Sequence, residues 1–304
     1  MKPLRISPSR YLAWQDCGMK YRFRYILKVR KAIEDANLAF GKIIHTVIEL
    51  YLRALWSGRS LDPVTTFEAQ WEEATNSASL AYNASTTPED LLATGRVLME
   101  RFPEAWIKSQ LEPVSIDGGE PALEVKSEVR FGDSVIANGI IDIIAVNPRG
   151  KVGPIDWKTP AQSNAAEAEF ALAAPQMRFY QPLADEVLKR ADDPSLRRPS
   201  DFRGFVNLVK RKVSKTGRGR GPEVLQPETV PRASRASIDA IRTSTRYMAD
   251  DIRRGRLLRT ERAAYNTPCQ LCEFQRLCWV GDRTGLVIPG HTKNEAAPLN
   301  KAAA

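Results

Sequence analysis

The stretch VGPIDWKT, Val152 to Thr159, has the pattern of a strand that is apolar on one face and charged on the other. Successive side chains of a strand point to opposite faces. Asp156 and Lys158 therefore share one face, while Ile155 and Trp157 share the other. A carboxylate beside an ammonium on a core strand predicts either an ion pair at the edge of a sheet or a site that binds a charged ligand.

A second carboxylate lies in the preceding predicted strand, where Asp142 stands among apolar residues in GIIDIIAV. An isolated carboxylate in a core strand is costly unless something binds it. Asp142 and Asp156 on neighbouring strands, with Lys158 beside one of them, therefore suit a hard divalent cation. This combination favours metal-assisted phosphodiester hydrolysis, in which the lysine steadies the attacking water or the developing negative charge.

The two aspartates share a face only in some registers. A turn of two or four residues at NPRG would pair Asp142 with Ile155 and place Asp156 on the opposite face. One extra residue restores the match, so we expect an odd-length turn or a β-bulge at Gly153-Pro154, where proline cannot donate to the ladder. Aspartates on opposite faces would refute the metal site.

Helical patterns surround the strands. Apolar residues from Ile44 to Leu55 recur with the spacing of an amphipathic helix that ends at Gly58. Three strand patterns follow Ala122, and then come a helix over about 165–190, the strand RGFVNLVKR and a long Arg-rich helix. This order predicts an α/β fold with a small mixed β-sheet flanked by helices.

Three further polar residues are candidates for the site. His45 lies beside the apolar stripe of its helix, four residues after Gly41. A neutral imidazole there can ligate a metal, although a structural histidine is the alternative. Gln176 and Tyr180 share a helix face at i and i+4 and can position a substrate, unless they form an ordinary polar and aromatic surface.

Four cysteines suggest a second metal centre. Cys269 and Cys272 have the spacing of a metal chelate, with Cys278 shortly after them and Cys17 far upstream. Four thiolates can hold zinc tetrahedrally or a [4Fe-4S] cluster, and the spacing does not choose between them. Either centre would join the two ends of the chain structurally. The alternative is four unrelated buried cysteines.

Charge indicates a polyanionic partner. The 304 residues carry a formal net charge of +9, which is compatible with DNA binding. A basic, glycine-rich loop after the strand RGFVNLVKR is suited to following a phosphate backbone, although a solvated basic face is the alternative. The DNA-binding candidates of this loop are Lys210, Arg211, Lys212, Lys215, Arg218 and Arg220.

Targeting signals are not evident. No apolar segment follows the basic N-terminus as in a secretory signal, and there is no run of about 18 apolar residues. We therefore expect a cytoplasmic protein that does not contact a membrane and whose cysteines are reduced.

Together these residues resemble the PD-(D/E)XK nuclease superfamily, in particular its RecB-like branch. The matching motifs, in the family's order, are GKIIH ending in His45, GIIDII with Asp142, PIDWK with Asp156 and Lys158, and QMRFY with Gln176 and Tyr180. The cysteines resemble those of its iron-sulfur subgroup, which includes the AddB nuclease domain and the CRISPR-associated four-cysteine exonucleases. Gly18 stands where that subgroup usually has proline.

The resemblance implies a restriction-endonuclease-like core that depends on Mg2+ or Mn2+. It implies His45 as a metal ligand beside Asp142 and Asp156, and a [4Fe-4S] cluster rather than zinc at the cysteines. The family's acidic residue ahead of the Asp142 strand would correspond to Glu124 or Glu128. Lys158, Gln176 and Tyr180 would complete the catalytic set.

The expected protein is thus a metal-dependent DNA exonuclease acting in recombination, repair or phage DNA processing. A structure-specific endonuclease and a non-cutting DNA-binding subunit are the alternatives. The chain lacks a GxxxxGK[ST] loop, so a helicase or recombination partner would be a separate protein. We expect a single nuclease domain over 1–281, with a helical insertion at about 59–115, a catalytic core at about 120–210, a basic helix and cysteine segment at 230–281, and a disordered tail at 282–304.

Overall fold

The computed structural model describes residues 2–77, 79–83, 86–161, 174–214, 220–260, 268–270 and 272–290. The helices in these residues are α1 (Pro8–Asp16), α2 (Gly18–Tyr21, continued by a π-helical turn over Arg22–Ile26), α3 (Ala36–Trp56), α4 (Pro63–Ser77), α5 (Pro88–Ser109), α6 (Pro175–Leu188), α7 (Arg235–Arg253) and α8 (Gln275–Val280). None of them combines the length and the hydropathy needed to cross a membrane.

Strands alternate with these helices. They are β1 (Leu4–Ile6), β2 (Arg30–Lys31), β3 (Glu34–Asp35), β4 (Leu80–Ala81), β5 (Glu112–Pro113), β6 (Ser115–Ile116), β7 (Glu120–Pro121), β8 (Leu123–Arg130), β9 (Val135–Val146), β10 (Val152–Lys158), β11 (Phe202–Val209), β12 (Glu223–Val224), β13 (Glu228–Pro231) and β14 (Leu286–Val287). The main sheet joins β1, β5 and β8–β13. Its ladders are mixed, because β1–β9 and β10–β11 are parallel whereas β8–β9 and β9–β10 are antiparallel. The expected mixed α/β fold is confirmed.

Two hydrophobic cores cover the two faces of the main sheet. One core lies between the sheet and α6, with α1 and α7 beside it. The other lies between the sheet and α3, which packs with α4 and α5. The amphipathic pattern of α3 is confirmed, since its apolar positions such as Ile44, Val47 and Ile48 are fully buried.

The register of β9 and β10 is set by an odd-length turn, one of the two features expected from the sequence. Residues 147–151 connect the strands, so the turn has an odd length, and the ladder runs without a bulge from Val152–Val146 to Ile155–Ile143. Position 153 requires glycine for a steric reason. A Cβ at this position would lie 2.1 Å from the carbonyl oxygen of Phe202 on β11. Glycine therefore permits the close approach of two strands.

The C-terminal segment differs from the expected disorder. Leu286 and Val287 form β14, which pairs with Lys31 and Arg30 of β2. Residues 291–304 of the expected tail lie outside the described residues. A third, small core of Phe23, Val29, Phe274 and Leu277 joins the two ends of the chain.

Candidate active site

A cleft opens beside β9 because its strand neighbours separate. One edge of β9 pairs with β8. The other edge pairs with β1 over residues 135–137 and with β10 over residues 143–146. Between these two ladders, residues 138–142 have no strand partner on this edge within the described part of the chain. Asp142 lies where the unpaired stretch meets β10.

The same position marks a reversal of the strand faces. Ile141 packs in the core beneath α6, whereas Ile143 packs in the core beneath α3. In a regular strand both would lie on one face. The β8 residues on either side of Glu124 are divided between the same two cores. Glu124 itself has a backbone φ of 48°. That left-handed conformation is uncommon for a residue other than glycine, so Glu124 and Asp142 stand at a paired irregularity of the sheet.

α3 brings a histidine to these carboxylates. Ligand atoms of His45, Glu124 and Asp142 all lie within 4.8 Å of one another. His45 Nδ1 is 3.4 Å from Asp142 Oδ2, and the Trp157 backbone N–H donates to the same oxygen at 2.8 Å. The three side chains thus offer one nitrogen and two carboxylates around a common point.

Asp156 belongs to a neighbouring polar network. Its Oδ1 accepts a hydrogen bond from Gln176 Nε2 at 3.0 Å, and Lys158 Nζ lies 2.5 Å from its Oδ2. Gln176 also accepts from Lys158 Nζ and donates to Tyr180 Oη, each at 3.0 Å. α6 therefore fixes the aspartate, the lysine and the tyrosine through one amide, as the i, i+4 spacing of Gln176 and Tyr180 predicts.

Burial and like charge dominate the electrostatics of the cleft. Burial raises the pKa of Asp142 well above its usual value, and the charges of Asp156 and Glu124 raise it further. Burial, with Glu49 and Asp156 nearby, raises the pKa of Glu124 to about 7. Burial lowers the pKa of His45, which keeps a ring nitrogen available as a ligand at neutral pH. The negative charge of these carboxylates exceeds the positive charge of the neighbouring side chains, as expected of a site that binds a cation.

Sequence reasoning left one acidic residue undecided and missed another. Glu128, the alternative to Glu124, forms an exposed ion pair with Arg5 instead of joining His45 and Asp142. Glu49 lies one helical turn after His45 and lines the same pocket on the α3 side. Its position four residues after a candidate ligand was the only signal available in the sequence.

Most described basic residues of the candidate DNA-binding loop have partners within the protein. Lys210 Nζ donates to Asn37 Oδ1 at 2.7 Å. Arg211 pairs with Glu223 at 2.9 Å and Lys212 with Asp90 at 2.8 Å. Arg220 is exposed. Lys215 and Arg218 lie outside the described residues.

The four cysteines line one pocket between α2 and the C-terminal segment. Cys17 is buried and the other three are partly buried, and all four are free thiols. Among the described residues, however, no three of their sulfur atoms lie within 4.8 Å of one another. A single zinc ion with Zn–S bonds of ~2.3 Å would require thiolates about 4 Å apart. The compact arrangement of a zinc site is therefore not formed.

A model of the PD-(D/E)XK nuclease superfamily matches residues 5–279. The chain belongs to this superfamily. No curated protein is significantly similar to this superfamily member. A solved structure described as the crystal structure of SSO0001 is 11% identical to it and has a TM-score of 0.39, with 91% of this chain and 87% of that chain covered.

PD-(D/E)XK nucleases use divalent metals and act on DNA, and the cleft of this member offers suitable ligands. Carboxylate and imidazole groups suit Mg2+ and Mn2+. Asp156 Oδ2 is buried and receives no hydrogen bond of good geometry, although the Lys158 ammonium lies beside it. This oxygen retains a lone pair for a cation, so the residues present fit the group that the superfamily implies.

Proposed function

We propose that the protein is a metal-dependent DNA exonuclease that hydrolyses phosphodiester bonds in recombination, repair or phage DNA processing. The observation that carries the proposal is that the group of His45, Glu124 and Asp142 adjoins the Asp156–Lys158–Gln176 network at Asp142. A ligand set next to a positioned ammonium is the combination that phosphodiester hydrolysis requires.

His45, Glu124, Asp142 and Asp156 would hold Mg2+ or Mn2+. When bound, the ion supplies Lewis-acid polarisation of the scissile phosphate. Lys158 stabilises the negative charge that develops on the phosphate oxygens and orients the attacking water. Its side chain is partly exposed, and Lys158 lines the same pocket as His45, Glu124 and Asp142.

Gln176 acts as the positioning residue of this set. Its amide holds Lys158 by accepting a hydrogen bond and holds Asp156 by donating one. Tyr180 Oη accepts from the same amide and lines the cleft beside β9. Fixing these groups before the substrate binds reduces the reorganisation needed in the transition state.

The proposal of exonuclease rather than endonuclease action rests on the resemblance to exonucleases of the RecB-like branch. A structure-specific endonuclease and a non-cutting DNA-binding subunit are the competing functions, and the intact Asp156 and Lys158 argue against the latter. A helicase or recombination protein is the partner we expect, since the chain has no nucleotide-binding loop of its own.

The test compares end-labelled linear DNA with closed circular DNA in Mg2+ and in Mn2+. We expect mononucleotides or short products from the linear DNA and an intact circle. Cutting of the circle would favour the endonuclease, and binding without cutting would favour the subunit. Asp156→Ala is the control, and a variant that still cuts would refute the assigned active site.

The cysteine pocket would hold a [4Fe-4S] cluster, with zinc as the alternative. Cluster thiolates bind different irons and stand farther apart than four thiolates around one ion. Lys20 and Arg259 also line the pocket, and their charges offset those of thiolates. A brown protein with about four irons per chain, lost in Cys17→Ser, is the expected result. A colourless protein with stoichiometric zinc would contradict it.

A further inference from the structure

The cleft along the unpaired edge of β9 extends well beyond the proposed metal ligands. It has a volume of about 690 Å3, and Asp142, Gln176 and Tyr180 are among its lining residues. We call the remainder the β9 cleft, and the lining residues that matter are Arg5, Ser7, Leu12, Lys126, Asn138 and Ile140. His45 and Glu124 line a separate pocket on the α3 side of Asp142, so the β9 cleft lies on one side of the reaction centre.

Lys126 gives the β9 cleft an uncompensated positive charge. It is exposed and has no ion-pair partner among the residues that the structure describes. It follows Glu124 by two residues on β8 and pairs in register with Ile140 of β9. The other cation, Arg5, is paired with Glu128. A phosphate that enters the cleft therefore meets Lys126 as its available partner.

The rest of the lining suits a nucleoside. Ile140 is 44% exposed, which is unusual for a large aliphatic side chain on a central strand of the sheet. Leu12 adds apolar surface from α1, while Asn138 and Ser7 offer hydrogen-bonding groups. Apolar contact to a base, polar contact to its edge or sugar, and a cation for the phosphate are the elements of nucleic-acid recognition.

We propose that the β9 cleft binds the nucleotides on one side of the scissile phosphate, with Lys126 contacting a backbone phosphate and Ile140 contacting a base. This inference rests on the proposed nuclease function and adds the path of the substrate strand to it. Because Asp142 lines both the cleft and the pocket of His45 and Glu124, a strand held in the cleft brings its next phosphate to the metal ligands.

The test uses Lys126→Gln and Lys126→Glu in the full-length protein. Lys108 is the matched control, because it is also exposed and without an ion-pair partner among the described residues, and it lies in the last turn of α5 outside the cleft. Affinity for a labelled single-stranded oligonucleotide is measured with EDTA over a series of salt concentrations. Loss of one phosphate contact should lower the slope of log affinity against log salt by about 0.7 for Lys126→Gln, with no change for Lys108→Gln.

Cleavage kinetics separate this inference from the proposed function. Lys126→Glu should raise KM for DNA by roughly tenfold with little change in kcat, because the contact is made equally in the ground and transition states. Hydrolysis of bis(4-nitrophenyl) phosphate, which is too short to reach Lys126, should be unchanged. Equal behaviour of the Lys126 and Lys108 variants on DNA would overturn the inference while leaving the nuclease intact.

Crosslinking provides a readout that does not depend on activity. An oligonucleotide carrying 4-thiothymidine should crosslink to a peptide containing residues 138–140 of β9. Crosslinks confined to residues outside the β9 cleft would overturn the inference. If the wild-type protein cuts no DNA but crosslinks at β9, the proposed nuclease function fails and the binding site stands.

Discussion

Glu124 and Asp142 occupy facing positions on β8 and β9, at the one point where both strands exchange the faces that are buried. The pairs on either side, Leu123–Ile143 and Val125–Ile141, are regular. Glu124 reaches this position in a left-handed conformation that costs of the order of 1–3 kcal/mol for such residues. The sheet is thus distorted where the proposed metal ligands converge.

Replacing Glu124 should weaken metal binding. Glu124→Gln keeps the size of the side chain but removes one of the two carboxylates near His45, so Mn2+ affinity should fall by about tenfold to hundredfold. Isothermal titration calorimetry measures this change. Glu128→Gln, on the same strand, is the control and should bind Mn2+ like the wild type. Equal affinities of both variants would remove Glu124 from the ligand set.

Gln176 should affect the rate rather than metal affinity. Gln176→Ala frees Lys158 and Asp156 from their common hydrogen-bonding partner, so kcat should fall by about hundredfold while Mn2+ affinity changes little. In a double-mutant cycle, the loss in Lys158→Ala/Gln176→Ala should be close to that in Lys158→Ala alone. Additive losses would show that the amide acts independently of the lysine.

The stability of the metal-free protein should rise as pH falls. The folded-state pKa of Glu124 is raised to about 7, above the value of ~4.3 in an unfolded chain. The charged form is therefore disfavoured by folding, and the penalty, which is full above pH ~7, disappears as pH falls towards ~4. Asp142 acts in the same direction, and the lowered pKa of His45 offsets only part of the gain below pH ~6.5.

Thermal unfolding in EDTA between about pH 8 and pH 5 measures this dependence, and the midpoint should increase towards pH 5. Glu124→Gln should flatten the profile, because the amide does not titrate. A wild-type midpoint that decreases over the same range would contradict the prediction.

Gly153 should tolerate no side chain. A Cβ would lie 2.1 Å from the carbonyl oxygen of Phe202, so Gly153→Ala must separate β10 from β11 and should cost about 1–3 kcal/mol of unfolding free energy. Gly221→Ala is the matched control, because nothing lies within 4 Å of its added Cβ. Urea unfolding of both variants tests the difference, and equal stabilities would refute the close approach.

Arg220 should contribute more to DNA binding than Arg211. Arg211 is engaged by Glu223, whereas Arg220 is exposed and has no ion-pair partner among the described residues. Arg220→Ala should lower the slope of the salt dependence, and Arg211→Ala should lower it less. Fluorescence anisotropy at several salt concentrations measures both slopes. The reverse order would show that the Arg211 ion pair opens on DNA.

The local parts of the site follow from the sequence. Strand alternation gives the shared face of Asp156 and Lys158, and helical spacing gives the pairing of Gln176 with Tyr180. The odd-length turn before Val152 follows from requiring Asp142 and Asp156 to meet. Each of these relationships spans few residues, so periodicity is sufficient.

The remaining features depend on contacts that sequence patterns do not encode. The choice of Glu124 over Glu128 rests on the register of β8 and β9, which places Glu124 opposite Asp142 and Glu128 opposite Asn138. The β9 cleft exists because β1 pairs only with residues 135–137, so that the edge of residues 138–142 away from β8 has no strand partner among the described residues. The partners of Lys210 and Lys212 lie on distant helices.

The junction between the two ends of the chain has a consequence for biosynthesis. The Met19 N–H bonds the Leu258 carbonyl, and β2 pairs with β14 after more than 250 residues. Contacts of such sequence separation form late, because loop closure must precede them. During translation, α2 and Cys17 are made long before the segment around Leu258 that contacts them. Premature termination before residue 258 would therefore leave α2 without the segment that accepts its Met19 hydrogen bond.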